Sequence, residues 1–208
     1  MRPEEARALF ERHGAILEGH FELTSGRHSD RYVQKARILE RPDLTGRVAA
    51  EIASWYEGID VVVAPAVGAI VLGFAVAERA NARSIFAERD AGALRLRRGF
   101  FIEPGERALV VEDVITTGGS ARETYDIAQG AGARTLGVAA LVDRSTAPLT
   151  FPLRALLRVE AVSWDPAACP LCAAGVHDTP ECAGHGRVGL LPPRRRAYNP
   201  ARITAGWT

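Results

Sequence analysis

Four short apolar runs constrain the fold of this chain most: IDVVVAP at 59–65, RSIFA at 83–87, ALVV at 108–111 and TLGVAALV at 135–142. Continuous rather than alternating apolar residues are the pattern of strands covered on both faces. Helical spacing fills the intervals. Ala6, Leu9 and Phe10 share one face of a helix expected over Pro3–His13, and Val48, Ile52 and Trp55 share one face over Leu44–Tyr56. A further helix is expected over 69–80, and Ser120 with Glu123 has the spacing of a capping box opening a helix that runs to about Gly130. Strands alternating with helices predict an α/β fold: a doubly wound parallel sheet with helices on both faces. On such sheets ligands sit beyond the carboxyl ends of the strands, where Pro65-Ala66-Val67-Gly68, Glu112-Asp113 and Asp143-Arg144 all fall. Residues 88–107 are polar, rich in Arg and Gly and without clear periodicity, so they predict a long connection of the kind that is usually functional or mobile.

With 208 residues the chain has length for one domain with a real core and a small appendage. The domain is expected over 1–165, with a Cys-containing, Pro-, Gly- and Arg-rich extension over 166–208. A net charge of +1 provides no general field for nucleic acid or an anionic membrane, which excludes both as partners on charge alone. The opening MRPEEARALFERHG lacks the apolar centre of a signal peptide, and no apolar stretch approaches the ~20 residues of a membrane span. A cytoplasmic location is the expectation. Of the 26 basic residues a single one, Lys35, is lysine, so any catalytic lysine must be at that position.

The segment ALVVEDVITTGGS at 108–120 carries the chemistry. Thr116-Thr117-Gly118-Gly119-Ser120 combines glycines that let successive N–H groups converge, hydroxyl donors and the positive end of the following helix, which together make a phosphate cradle. It is not a Walker loop, because the Gly-Lys-Ser/Thr triplet is missing. Just before it stand Glu112 and Asp113. Two carboxylates at the end of a buried strand cost free energy unless they accept good hydrogen bonds or meet a cation, and vicinal sugar hydroxyls are such donors.

This succession of four apolar residues, two acids, two apolar residues and Thr-Thr-Gly-Gly-Ser resembles the phosphoribosyl-pyrophosphate signature of type I phosphoribosyltransferases. That resemblance implies their fold, with a small hood formed by the N-terminal segment and residues after about 150. It assigns the ribose hydroxyls to Glu112 and Asp113 and the 5′-phosphate to Thr116–Ser120, with Val114 and Ile115 in the same phosphoribosyl-binding segment. Pro65-Ala66-Val67-Gly68-Ala69 stands where the family's pyrophosphate loop lies, so Ala66, Val67 and Gly68 join the set. The segment HFELTSGRHSDRYVQ at 20–34 is similar to the N-terminal segment of the orotate enzymes of this class, and LVDRS at 141–145 to their later strand end. By that likeness Ser25, Gly26, Tyr32, Val33, Thr116 and Arg144 meet orotate, with the Arg144 guanidinium against its carboxylate. Arg89, Arg95, Arg97 and Arg98 occupy the family's mobile catalytic loop and, with Asp113, form the implied catalytic set. The likeness also implies Mg²⁺, a homodimer in which that loop reaches the neighbouring site, and transfer of ribose 5-phosphate to orotate in pyrimidine synthesis. Two other readings remain: a relative acting on a purine base, and a nucleotide-sensing regulator of the same fold.

Cys169-Pro-Leu-Cys172, Cys182 and His185 give Cys-x2-Cys-x9-Cys-x2-His, a set that can close a tetrahedral Zn²⁺ site, with His177 as a rival fourth ligand. The other reading is a pair of reduced thiols and an unrelated Cys182. Arg194-Arg195-Arg196 belongs to a low-complexity end of the kind that stays solvated.

Overall fold

A computed structural model describes residues 1–23, 26–160 and 162–176. In chain order its elements are α1 (Pro3–Arg12), β1 (Ile16–Glu22), β2 (His28–Val33), α2 (Ala36–Leu39), α3 (Pro42–Ala53), β3 (Val61–Pro65), α4 (Ile70–Ala80), β4 (Arg83–Asp90) and β5 (Ala93–Leu96). They continue with β6 (Arg107–Ile115), α5 (Gly119–Gly130), β7 (Arg134–Asp143), β8 (Leu153–Arg158), β9 (Ser163–Trp164) and α6 (Pro170–Ala173). Two compact units result: Met1–Glu18 with Arg31–Val162, and Gly19–Asp30 with the described residues from Ser163 onward.

The first unit is built on a six-stranded sheet in the order β5-β4-β3-β6-β7-β8, in which every pairing is parallel except β4 with β5. The apolar runs of β3, β6 and β7 are strands buried on both faces, as their pattern predicts, whereas β4 buries Ile85 and Ala87 and leaves Ser84 and Phe86 half-exposed. Successive side chains on a strand point to opposite sides, and here they enter different cores. Val62, Leu109, Val111 and Leu141 join Phe10, Val48, Ile52, Leu72 and Val76 from α1, α3 and α4. Val61, Val63 and Ala108 lie in one cluster on the other side and Val110, Val138 and Ala140 in a second. Helix α5 covers that side with Ala121, Tyr125 and Ala128, at the i, i+4, i+7 spacing of one helical face.

The structure departs from the sequence expectations at several points. Helix α3 starts on Pro42 and ends at Ala53, so Trp55 lies beyond it, donating its indole N–H to Glu51 at 3.0 Å. Residues 88–107 are not a plain connection. Strand β4 continues to Asp90 and turns back as β5, pairing Glu88 with Arg95 and Arg89 with Leu94. The turn holds Ala91 and Gly92 at φ 50° and 88°. The capping box is also absent: α5 is led in by Gly118 in the left-handed conformation, and Glu123 turns outward to accept from Arg89 and from the backbone N–H of Leu94.

In the second unit the start of β2 stands between β1 and β9, with His28 and Ser29 opposite Trp164 and Ser163 in antiparallel pairing. A 3₁₀ turn over Pro166–Ala168, capped by the Asp165 side chain, leads into α6. Among the described residues no helix is long and apolar enough to cross a membrane.

Candidate active site

Strand β6 brings both acids to its carboxyl end, and both are buried. Strand alternation sends them in different directions. Glu112 lines a cavity of about 70 Å³ whose remaining wall is formed by residues 114–121. Asp113 faces the loop after β3: its Oδ2 is ion-paired with the ammonium of Lys35, and its Oδ1 accepts the Val114 N–H at 2.6 Å. Gly68 lies against this pair so closely that a Cβ on it would run into the Asp113 carboxylate and come within 2.8 Å of Lys35 Nζ. A side chain there would have to displace this ion pair. The Ala66–Val67 peptide leading into Gly68 is cis.

The electrostatics follow from the burial. Withdrawal from water, reinforced by the neighbouring Asp113 carboxylate, pushes the Glu112 carboxyl up to about 8, and the Lys35 cation only partly offsets this. Burial thus favours the protonated form of Glu112, and a ligand that supplies donors or positive charge favours release of that proton. Lys35 is absent from the set of candidate site residues taken from the sequence. Its one signal there is that it is the chain's single lysine.

On the cavity side, Thr116 and Thr117 are exposed and Gly118 is buried with φ +78°. Its missing side chain makes room for the neighbours: a Cβ would stand 2.8 Å from Leu149 Cδ2 and 3.2 Å from Phe151 Cζ. The first N–H groups of α5 have no partners within the helix, and its dipole adds positive potential at the same point. An anion is the ligand this cradle suits.

Arg144 follows β7. Its backbone N–H donates to the Ile115 carbonyl at 2.8 Å, which ties it to the end of β6, and its side chain is half-buried. The turn that carries it is anchored by buried Asp143, which accepts from Arg158 Nη1 at 2.6 Å and from the Ser145 N–H at 2.8 Å. Tyr32 is half-buried on β2, and Val33 next to it is buried in the main core. Gly26 lies in the second unit, in a turn where its N–H donates to the Leu23 carbonyl, and Ser25 is outside the described residues.

Arg89, Arg95, Arg97 and Arg98, on the β4–β5 hairpin and just after it, are exposed, and three of them are paired. Arg89 meets Glu123 of α5 at 3.1 Å, while Arg97 and Arg98 reach Glu88 at 3.8 and 3.0 Å. Arg95 is exposed across from Glu88. Cys169 and Cys172 belong to the second unit; Cys182, His185 and His177 are outside the described residues. Two residues that the sequence pattern did not connect to the cysteines, His20 and His28, lie beside them.

Comparison with known proteins places this arrangement. No protein-family model matches the chain. It is 48% identical over 180 residues to the orotate phosphoribosyltransferase of Pelotomaculum thermopropionicum, a match spanning 85% of this chain and 95% of that one. The orotate phosphoribosyltransferase of Heliobacterium modesticaldum is 46% identical over 181 residues, spanning 84% and 95%. Among solved structures, the Mycobacterium tuberculosis H37Rv orotate phosphoribosyltransferase in complex with inorganic phosphate has a TM-score of 0.57 at 27% identity, covering 74% of this chain and 94% of that one. The fold is thus that of the type I phosphoribosyltransferases, and identity of this degree over nearly the whole length of the relatives means that the chain belongs to the orotate phosphoribosyltransferase family.

Proposed function

We propose that the chain transfers ribose 5-phosphate from phosphoribosyl pyrophosphate to N1 of orotate, releasing pyrophosphate and supplying orotidine 5′-monophosphate for pyrimidine synthesis in the cytoplasm. The observation that carries this reading is the divergence of Glu112 and Asp113 between two glycine-bearing loops. One strand end thereby serves a diol while its flanks serve the two phosphorylated ends of the same sugar.

In this reading Glu112 and Asp113 accept the ribose hydroxyls, and the N–H and hydroxyl groups from Thr116 to Ser120 hold the 5′-phosphate, with Val114 and Ile115 setting the loop's start. Ala66, Val67 and Gly68 receive the pyrophosphate. Tyr32 and Val33 offer backbone groups to the orotate ring, Thr116 contacts it and Arg144 pairs with its carboxylate. The likeness of 20–34 to the orotate enzymes assigns Ser25 and Gly26 to orotate as well. A hard divalent cation suits an oxygen set of one or two carboxylates plus substrate phosphates. Mg²⁺ would accordingly be held by Glu112 or Asp113 together with the sugar's own oxygens, and would supply charge neutralisation.

As the C1–O bond breaks, its electron pair leaves with the pyrophosphate, and the N1–C1 bond forms while the N1 proton is lost to water or to the departing pyrophosphate. Negative charge grows on the leaving group. Arg89, Arg95, Arg97 and Arg98 answer that charge electrostatically, since a guanidinium cannot give up a proton at working pH. Arg89 is now paired with Glu123, and Arg97 and Arg98 with Glu88, so these three would exchange a carboxylate partner for the leaving group.

A homodimer belongs to the same proposal. Val67, Val71 and Phe74, at helical spacing on and just before α4, are 81%, 51% and 65% exposed, an apolar stripe that a second copy would cover. The whole reading is tested by following orotate absorbance with phosphoribosyl pyrophosphate and Mg²⁺. Turnover with orotate, none with adenine or hypoxanthine, and its loss in Glu112→Gln/Asp113→Asn is the expected result. Turnover with a purine alone would move the chain to the rival substrate class.

A further inference from the structure

Four ligand atoms of zinc-binding type converge within the second unit. Nε2 of His20, on β1, lies 2.8 Å from Nδ1 of His28, on β2. Sγ of Cys169 and Sγ of Cys172, on either side of Pro170-Leu171, are 3.4 and 3.6 Å from the same His20 nitrogen, and Sγ of Cys172 is 3.2 Å from His28 Nδ1. All four ligand atoms are within 4.8 Å of one another. His20, His28 and Cys169 are buried and both cysteines are thiols.

The sulfur–nitrogen separations fit the edges of one tetrahedron. With Zn–S of about 2.3 Å and Zn–N of about 2.05 Å, a tetrahedral site has N···S edges of about 3.6 Å and an N···N edge of about 3.3 Å. The observed sulfur–nitrogen distances of 3.2 to 3.6 Å match. The nitrogen pair is at hydrogen-bond separation and would open by about 0.5 Å around a cation of that bond length. A two-iron cluster divides its ligands between two metals and would spread them more widely than this. The surroundings of His20 agree: its Nδ1 is 2.8 Å from the Val176 carbonyl, which fixes the proton there and turns the Nε2 lone pair inward.

We propose that His20, His28, Cys169 and Cys172 bind one Zn²⁺ as a closed structural site, holding the β1–β2 strands to the segment after β9. Four protein ligands leave no open position for a substrate, and a set of two thiolates and two imidazoles favours zinc over the hard cation of the catalytic centre. The ligands come from positions about 150 apart in the sequence, His20 and Cys169 being separated by 149. The ion therefore acts as a cross-link as well as a local clamp.

The test is metal analysis of the full-length untagged protein purified without chelator. About one zinc per chain is expected, surviving dialysis. Cys169→Ser and Cys172→Ser should each lose it, and Cys182→Ser and His185→Ala should keep it. Cobalt exchanged into the wild type should give the visible absorption of a tetrahedral ion with thiolate-to-metal charge transfer in the near ultraviolet. That spectrum decides the matter even if the cysteine variants precipitate. The proposal is overturned by any of three results: negligible zinc after reconstitution, zinc lost from the Cys182 or His185 variant instead, or an octahedral cobalt spectrum without charge transfer. None of these readouts involves turnover, so they stand apart from the catalytic reading.

Discussion

The ammonium of Lys35 is ion-paired with Oδ2 of Asp113, and Gly68 lies against both groups. One contact thus joins the segment after β2, the end of β6 and the loop after β3. Lys35→Met should raise the KM for phosphoribosyl pyrophosphate by on the order of ten- to a hundredfold, the range of a lost charge-assisted hydrogen bond. Lys35→Arg should recover part of it. An unchanged KM in the methionine variant, measured at saturating orotate, excludes Lys35 from the site.

Glu112 sets a pH dependence. Its carboxyl is raised to about 8 by burial and by Asp113, so the folded protein keeps a proton that the unfolded chain gives up near the ordinary glutamate value. The folded state then binds more protons between those two values, and stability falls as pH rises through that window. Glu112→Gln removes the effect, so its melting temperature relative to wild type should be higher at pH 8 than at pH 4. Calorimetric titration with phosphoribosyl pyrophosphate and Mg²⁺ at pH 7, in buffers of different ionisation enthalpy, should also detect net proton release on binding.

Asp143 acts through Arg144. Asp143→Ala removes the acceptor for Arg158 and for the Ser145 N–H, loosening the turn that aims Arg144. The expected outcome is an orotate KM raised about tenfold with the sugar KM nearly unchanged, the size of one lost hydrogen bond to a charged group. Equal changes in both constants, or a fall in kcat alone, argue against a positioning role.

Arg89 is held by Glu123 at 3.1 Å. Neutral Arg89→Gln should lower kcat by roughly a hundredfold, the scale of one preorganised electrostatic contact. Arg89→Lys keeps the charge and should retain most activity. Equal losses from both refute a purely electrostatic hairpin.

Phe74→Glu places a charge in the exposed stripe of α4. The wild type should have a dimer mass by light scattering and the variant a monomer mass. A monomeric wild type removes the dimer from the proposal.

Much of the first unit was legible because strands β3, β6 and β7 are buried on both faces. Val61–Pro65 and Val138–Val142 are almost unbroken apolar stretches, and such stretches have few other homes. Strands β1 and β2, ILEGHFE and HSDRYV, escaped because they mix charged, polar and aromatic residues without clean alternation. The β4–β5 hairpin escaped for a related reason. Its charges are satisfied across the strands and against α5, a relation between residues that periodicity along one segment does not register. The capping box failed because glycine at 118 takes the left-handed turn and starts the helix before Ser120. Spacing identified Cys169 and Cys172 but could point only to partners nearby in sequence, whereas His20 and His28 arrive through the folding of the chain.

The hairpin also governs how the sheet ends. Strand β5 is the margin of the six-stranded sheet, four residues long, antiparallel to its neighbour and flanked by guanidinium groups. A short, cationic border of this kind refuses further strands from other molecules. Swinging the hairpin away would bare the longer β4 with its Ile85-Phe86-Ala87 centre, so the segment proposed to answer the leaving group would also shield a strand edge from pairing with other molecules.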